Sequence, residues 1–231
     1  MSGLQPMPEE WSTAVCVLAH PDDMEYGPAT AVARWTAQGK TVSYVFISSG
    51  EAGIQGMHPD QAGPLREREE RAAAPHVGVE DLEFLHYPDF AIQNTPELRR
   101  DITQSLQRRD PELLMILNHH EQWAFGGSNS TDHRNAGNAV LQAIRENPLP
   151  HLRWVAVADS TNIDHAVDVT DTLEAGLAAL REHRAYLEAL GGELWSIQHV
   201  VSNARRAGKL FGTRYAAAFE LIELEPRRPQ D

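Results

Sequence analysis

The sequence predicts an α/β protein with a mostly parallel sheet covered by helices on both faces, and three observations carry that prediction. Apolar runs at Ala14 to Ala19, Thr41 to Ile47, Leu82 to Tyr87 and Pro111 to Leu117 have the length and composition of strands buried on both sides. Segments with apolar residues at helical spacing lie between them, which gives the strand and helix alternation of an open wound sheet. Three runs end abruptly in His20-Pro21-Asp22, Pro88-Asp89 and Asn118-His119. In open parallel sheets the carboxyl ends of strands are where ligand crevices form.

The first run breaks at Pro21 and delivers His20, Asp22, Asp23 and Glu25 beyond its end. A short helix from Ala29 to Gln38 follows, with Ala29, Val32, Ala33 and Trp35 on its apolar side and Gly39 as its stop. The second strand, Thr41 to Ile47, opens into a loop holding Gly50, Glu51, Gly53 and Gly56. That spacing is not the dinucleotide fingerprint, so a substrate-lining loop is favoured over a phosphate cradle. Pro64 to Ala74 interleaves arginines with glutamates, the pattern of a solvated helix face with i,i+4 pairs. The third strand, Leu82 to Tyr87, stops at Pro88-Asp89, and Pro96 to Arg108 is a helix with Leu98, Ile102 and Leu106 in one stripe.

After the fourth strand come His119, His120 and a polar loop, Gln122 to Ser130, that contains Trp123 and Phe125. Such a loop after a sheet strand belongs to a site more often than to slack. Ser130 or Thr131 caps a helix running to Glu146, with Asp132 and His133 in its first turn. A helix N-terminus disfavours positive charge, so a neutral imidazole bound to a metal suits His133. A fifth strand at His151 to Asp159, a long helix from Leu173 to about Leu190 and a last strand within Thr213 to Leu224 complete the pattern. Imperfect alternation at Phe219, Leu221, Ile222 and Leu224 suggests an edge position for that last strand. His165, His183 and His199 read as structural or surface histidines.

One domain spanning residues 1–231 accounts for the length, and the core is large enough to need no staples. A net charge of -13 argues against nucleic acid or an anionic membrane as the main partner. The one cysteine, Cys16, lies inside the first apolar run, which excludes an intramolecular disulfide and a cysteine-based metal site. No signal peptide or membrane span is evident, so a cytoplasmic location is expected, and the tail from Glu225 to Asp231 reads as frayed.

His20 with the acids beside it offers a divalent metal an imidazole nitrogen and a carboxylate, and leaves a second carboxylate to take a proton from water. The plainer reading of the same residues is a polar turn in which Asp22 or Asp23 caps the next helix. The metal reading requires a third ligand from elsewhere in the chain.

With both anchor segments in view, the chain resembles the PIG-L/LmbE-like family of zinc-dependent N-acetylglucosaminyl de-N-acetylases. The resemblance rests on Ala19-His20-Pro21-Asp22-Asp23-Met24-Glu25 and continues through Ser49-Gly50-Glu51-Ala52-Gly53, Arg66 to Glu69, Gly78-Val79, Phe84-Leu85, Pro88-Asp89, Asp132-His133-Arg134 and Tyr215 to Phe219. It implies a Rossmann-like three-layer α/β sandwich (the LmbE-like fold) with one metal, zinc or alternatively iron, held by His20, Asp23 and His133. It further implies Asp22 as general base, and Glu51, Arg66 and Asp89 as residues that line or hold the sugar, with Arg68 the alternative to Arg66. Asp132, beside His133, is expected to orient that ligand. Many members carry a histidine where Ser130 stands, and a lysine and a glutamine where Gly176 and Tyr186 stand. The general acid is therefore open among His119, His120 and Asp22 acting twice.

The expected activity is removal of an N-acetyl or other N-acyl group from an amino sugar. The alternatives are amidase action on a sugar-thiol conjugate or another N-acylated sugar metabolite, a metal-free nucleotide-binding module, and a binding protein whose catalysis has lapsed. Trp123 and Phe125 fit three roles: stacking on the sugar or its aglycone, a hydrophobic plug, or a contact in a homo-oligomer.

Overall fold

The computed structural model describes residues 3–123 and 126–225. Its elements in chain order are β1 (Gln5–Pro6), β2 (Thr13–Leu18), α1 (Ala29–Ala37), β3 (Thr41–Phe46), α2 (Pro59–Ala73), β4 (Asp81–Phe84), α3 (Pro96–Arg109), β5 (Leu113–Leu117), α4 (Thr131–Glu146), β6 (Trp154–Ala158), β7 (His165–Asp168), α5 (Leu173–Glu182), α6 (Arg184–Ala189), α7 (Glu193–Phe211) and β8 (Ala216–Glu223). The strands form one sheet in the order β1-β7-β8-β6-β5-β2-β3-β4, parallel except where β8 lies antiparallel to β6 and β7.

Side chains of the central strands alternate between two cores, as the pleat requires. Ala14, Cys16 and Leu18 of β2 and Leu113, Met115 and Leu117 of β5 pack on the side of α1 and α5. Val15, Val17, Leu114 and Ile116 face the other way, against Leu98, Ile102 and Leu106 of α3 and Ala139, Val140 and Ala143 of α4. The sheet is thus covered on both faces, as the continuous apolar strands imply. The chain leaves β2 for β3 on one side and reaches β5 on the other, so a crevice opens beyond the carboxyl ends of β2 and β5.

Besides the added strands β1 and β7, four elements differ from the sequence reading. The charge-dense helix α2 begins earlier, at Pro59 behind a His58 cap, and only part of its charged surface is solvated: Arg68 and Arg71 are exposed and Arg71 pairs with Glu67, whereas Arg66, Glu69 and Glu70 are buried. The helix expected from Leu173 to Leu190 breaks at His183, whose backbone leaves the helical region with ψ 51°. The helix α7 has no counterpart in the sequence reading, although Ile197, Val200, Val201 and Ala204 recur at helical spacing and pack against the core. The last strand, β8, is interior rather than an edge, since β6 and β7 both pair with it. Its alternation is imperfect because it is enclosed on both faces. The reading of Phe125 and that of the tail beyond Glu225 lie outside the described residues.

Candidate active site

The turn after β2 places His20 and Asp23, and the first turn of α4 places His133. Asp23 Oδ2 accepts the main-chain N–H groups of Ala19 (2.9 Å) and His20 (3.0 Å), which turns Oδ1 toward His133 Nε2 at 3.1 Å and His20 Nδ1 at 3.6 Å. Ser130 caps α4 by accepting the N–H of His133 at 3.0 Å. His20 Nδ1 and His133 Nε2 then face each other at 3.2 Å. The far nitrogens of both rings sit on oxygens: His20 Nε2 lies 3.0 Å from Asp89 Oδ1, and His133 Nδ1 lies 3.3 Å from Asn129 Oδ1.

If the far nitrogens carry the ring protons, both facing nitrogens present lone pairs, together with a carboxylate oxygen. Two lone pairs at such a distance repel unless a cation or a proton lies between them. The three atoms therefore fit a divalent metal, with the histidines oriented through their other nitrogens in the way that metal-bound histidines usually are. Burial alone would lower the proton affinity of His20, but Asp132, Asp23 and Asp89 around it raise that affinity well above the ordinary histidine range. Burial opposes ionisation of Asp23, yet His133 and His20 hold its carboxyl below the usual range. Asp132 does not orient its neighbour His133. Its Oδ2 lies 3.5 Å from His20 Nε2, because adjacent side chains on a helix point about 100° apart.

Asp22 stands apart from this set. Its backbone has φ 98°, a left-handed conformation that a residue other than glycine adopts only where its surroundings impose it. Arg66 NH2 donates to Asp22 Oδ1 and to the Pro21 carbonyl, and NH1 donates to the Gly50 carbonyl at 2.9 Å. Burial pushes the Asp22 carboxyl up to about 6, with Arg66 pulling it down and Asp23 adding to the rise. Tyr186 of α6 covers the Arg66 guanidinium at 4.1 Å from its ring centre.

The glycine-spaced loop touches the cavity over these groups at Gly53, and it also has an occupant that the sequence did not reveal. A methyl group on Gly50 or Gly53 would overlap the Arg66 guanidinium, so the loop wraps an internal arginine, and Gly50 at φ 62° turns its carbonyl onto it. Nothing packs within 4 Å of the third glycine, Gly56, at its absent side chain.

A cavity of about 870 Å³ opens over these groups, lined by His20, Asp22, Asp23, Arg66, Asp89 and His133. Of the residues expected near the sugar, Arg66 and Asp89 reach its wall. Glu51 does not, since its carboxylate accepts the Asp89 N–H at 2.8 Å. Arg68 is also absent from the wall. Trp123 lines the cavity with its ring edge-on to His133, centres 5.2 Å apart. His119 and His120 do not line it; their rings pack against each other at a tilt of 37°, and His120 Nε2 is bound to Glu220 at 2.7 Å. Gly176 packs against Thr30 instead.

The cavity also holds Asp159, Phe90 and Trp195, which the sequence reading passed over, together with Tyr186 and with His199, which reads in the sequence as a structural or surface histidine. Asp159 ends β6 as Asp89 follows β4, and an acid closing a buried strand was the signal that could have found it. Burial pushes its carboxyl up to about 6, against the pull of His133. Phe90 and Trp195 stand at the rim, 78% and 61% exposed, and a side chain as large as Phe90 at φ 60° is another imposed conformation.

Residues 15–144 match the family model described as GlcNAc-PI de-N-acetylase, PIG-L, a span that contains His20, Asp22, Asp23 and His133. The chain belongs to the PIG-L family. Among its relatives, a diacetylchitobiose deacetylase of Thermococcus kodakarensis is 25% identical, with 90% of this chain and 82% of that protein covered. The N,N'-diacetylchitobiose deacetylase of Pyrococcus horikoshii, solved with its inhibitor MPG, superposes with a TM-score of 0.83 at 22% identity, covering 93% of this chain and 85% of the other. A 4-carboxy-2-hydroxymuconate hydratase, GalB of Pseudomonas putida, also shares the fold, with a TM-score of 0.74 at 18% identity over 95% of this PIG-L chain and 99% of GalB. One architecture therefore carries more than one chemistry, and function has to be argued from the site. No helix among the described residues is long and apolar enough to cross a membrane.

Proposed function

We propose that this PIG-L protein is a metal-dependent hydrolase that removes the N-acetyl group from an N-acetylglucosamine derivative. The observation that carries the reading is the convergence of His20 Nδ1, Asp23 Oδ1 and His133 Nε2, with Asp22 beside them on a separate anchor. Zinc, or alternatively iron, would be held by those three atoms and, when bound, would polarise the amide carbonyl and make water more acidic. Asp22 takes the proton from the attacking water. With its carboxyl near 6, it is mostly ionised at neutral pH and can still hold the proton long enough to return it to the departing amine.

Ser130 is committed to capping α4, and His119 and His120 lie off the cavity wall. Asp22 acting as both base and acid is the assignment that the local geometry favours, with Asp159, which also lines the wall, as the alternative acid. Arg66 keeps the Asp22 carboxylate oriented, Asp89 orients His20, and Glu51 fixes Asp89. The open volume and the aromatic rim favour a derivative bearing a substituent larger than the reacting sugar. An N-acylated sugar conjugate, a sugar-thiol conjugate included, is the second reading, and Phe90 and Trp195 favour it. A metal-free nucleotide-binding module is disfavoured, because Arg66 fills the glycine loop that would have to cradle phosphate.

The test is metal analysis of wild type and His133→Ala, with acetate release from N-acetylglucosamine derivatives measured on the same samples. About one metal ion per wild-type chain, lost in the variant together with acetate release, is the expected result. A wild-type protein that takes up neither zinc nor iron refutes the proposal.

A further inference from the structure

Behind the catalytic turn lies a cluster that the proposed reaction does not use. Glu25, Glu70 and His183 are fully buried, and they come from the first motif, from α2 and from the junction of α5 and α6. His183 Nε2 lies 3.6 Å from Glu25 Oε2 and 3.6 Å from Glu70 Oε2. Two carboxylates this close inside a core cannot both stay ionised cheaply. Burial and the neighbouring Glu25 push Glu70 well above the ordinary carboxyl range. Burial works against the charge on His183, but Glu25 and Glu70 bring it up to about 9. An imidazolium, a carboxylate and a carboxylic acid together leave the cluster balanced. Such a set is weak support for stability by itself, which raises the question of what it holds.

The answer lies in its contacts with the active site. Glu70 Oε2 accepts the main-chain N–H of Asp22 at 3.3 Å, at the residue whose φ is 98°. The adjacent Glu69 accepts the N–H of Ala185 at 2.7 Å, which ties α2 to the first turn of α6. Helix α6 carries Tyr186 over Arg66, and Arg66 donates to the Asp22 carboxylate. The contacts close a ring that runs from Asp22 through Glu70, His183, α6, Tyr186 and Arg66 back to Asp22.

We infer that Glu70 and His183 are positioning residues for the deacetylation proposed above: the ring holds the Asp22 main chain in its imposed conformation and aims its carboxylate, without taking part in holding the metal. The inference rests on the reading of Asp22 as the base. A second cation among Glu25, Glu70 and His183 is the rival use of the same atoms. It fits less well, because Glu70 Oε2 is already engaged by Asp22.

The test uses the full chain as wild type, Glu70→Leu and Glu70→Gln. Leucine removes the acceptor and leaves His183 its contact with Glu25, so the fold is expected to survive; Glu70→Met serves equally if the branched side chain does not pack. Glu70→Leu should keep the wild-type metal content and a KM within about twofold, while kcat falls about tenfold or more through misplacement of the base. Hydrogen exchange of the peptide containing Asp22 should quicken. Glu70→Gln keeps an acceptor oxygen and should restore kcat to within about threefold of wild type.

An unchanged kcat in folded Glu70→Leu overturns the inference, as does Glu70→Gln being equally impaired. So does loss of kcat in step with loss of metal, and so do two metal ions per wild-type chain with one lost in Glu70→Leu. Absence of wild-type turnover on every acyl-sugar refutes the deacetylase reading instead, and the exchange comparison still decides whether Glu70 holds Asp22.

Discussion

Replacing Arg66 by methionine tests the centre of this arrangement. The side chain is 2% exposed and donates to the Asp22 carboxylate and to the carbonyls of Pro21 and Gly50. Methionine has similar length and no donors. Breaking a buried ion pair by removing one partner costs about 3–5 kcal/mol, and each abandoned carbonyl adds roughly 1 kcal/mol. Asp22 offsets part of this by taking up a proton, because its carboxyl already sits near 6 with the arginine present. A net loss of about 3–4 kcal/mol remains, which in a domain of this size lowers Tm by roughly 6–16 °C.

The same protonation removes the base, so turnover at neutral pH should fall about 100-fold or more, as loss of acid-base catalysis does. Arg66→Lys should not rescue it, because one ammonium cannot donate along the three directions of the guanidinium fork. Melting followed by calorimetry on metal-loaded protein, with acetate release on the same preparation, reads both effects. A Tm within about 2 °C of wild type together with unchanged turnover would falsify the view that Arg66 anchors Asp22.

Four further outcomes are expected. Gly50→Ala should lower Tm by several degrees, about 2 kcal/mol or more, whereas Gly56→Ala, with open space around it, should cost about 1 kcal/mol for its positive φ alone; equal losses would remove the case for a guanidinium cradle. Asp22→Asn should retain metal and lose at least about 100-fold in kcat, an outcome that activity in metal-loaded variant would contradict. Trp123→Ala should raise KM for acyl-sugars about tenfold if the indole stacks on the sugar, and an unchanged KM across several substrates argues for a plug. For His183, the folded value of about 9 lies above the ordinary 6.5, so its contribution is complete below pH 6.5 and disappears as pH rises through 9. That gap corresponds to roughly 3 kcal/mol. Glu70, also raised, acts in the same direction from lower pH. Denaturant unfolding of metal-free protein at pH 6 and pH 9.5 checks this, and equal stability at both would count against a charged His183.

Much of the site was readable because its anchors are local. A buried strand that stops at a proline and delivers His20, Asp22 and Asp23 can be recognised within fourteen residues, and so can a capping Ser130 that puts His133 in a first turn. What depends on distant packing was not readable. The arginine and glutamate pattern of α2 is the same whether the face meets water or core, and only the fold reveals that Arg66, Glu69 and Glu70 point inward. Adjacency in sequence wrongly linked Asp132 to His133, when the helix turns it to His20. The unusual glycines of the loop were visible, but their arginine partner was not, since it lies on the following helix. His183 looked like a histidine of no special interest, because its two glutamates come from segments more than a hundred residues away.

The place of β8 bears on how the molecule is made. β7 is joined to the main sheet through β8, and β1 is joined to it through β7. A nascent chain still lacking residues after Thr213 can pair β2 to β6, yet it exposes β6 as a bare edge and leaves β7 without its neighbour. Unpaired edges invite association between chains. β8 is thus a keystone: the sheet closes only when a segment remote in sequence from β2 to β5 slots between β6 and β7.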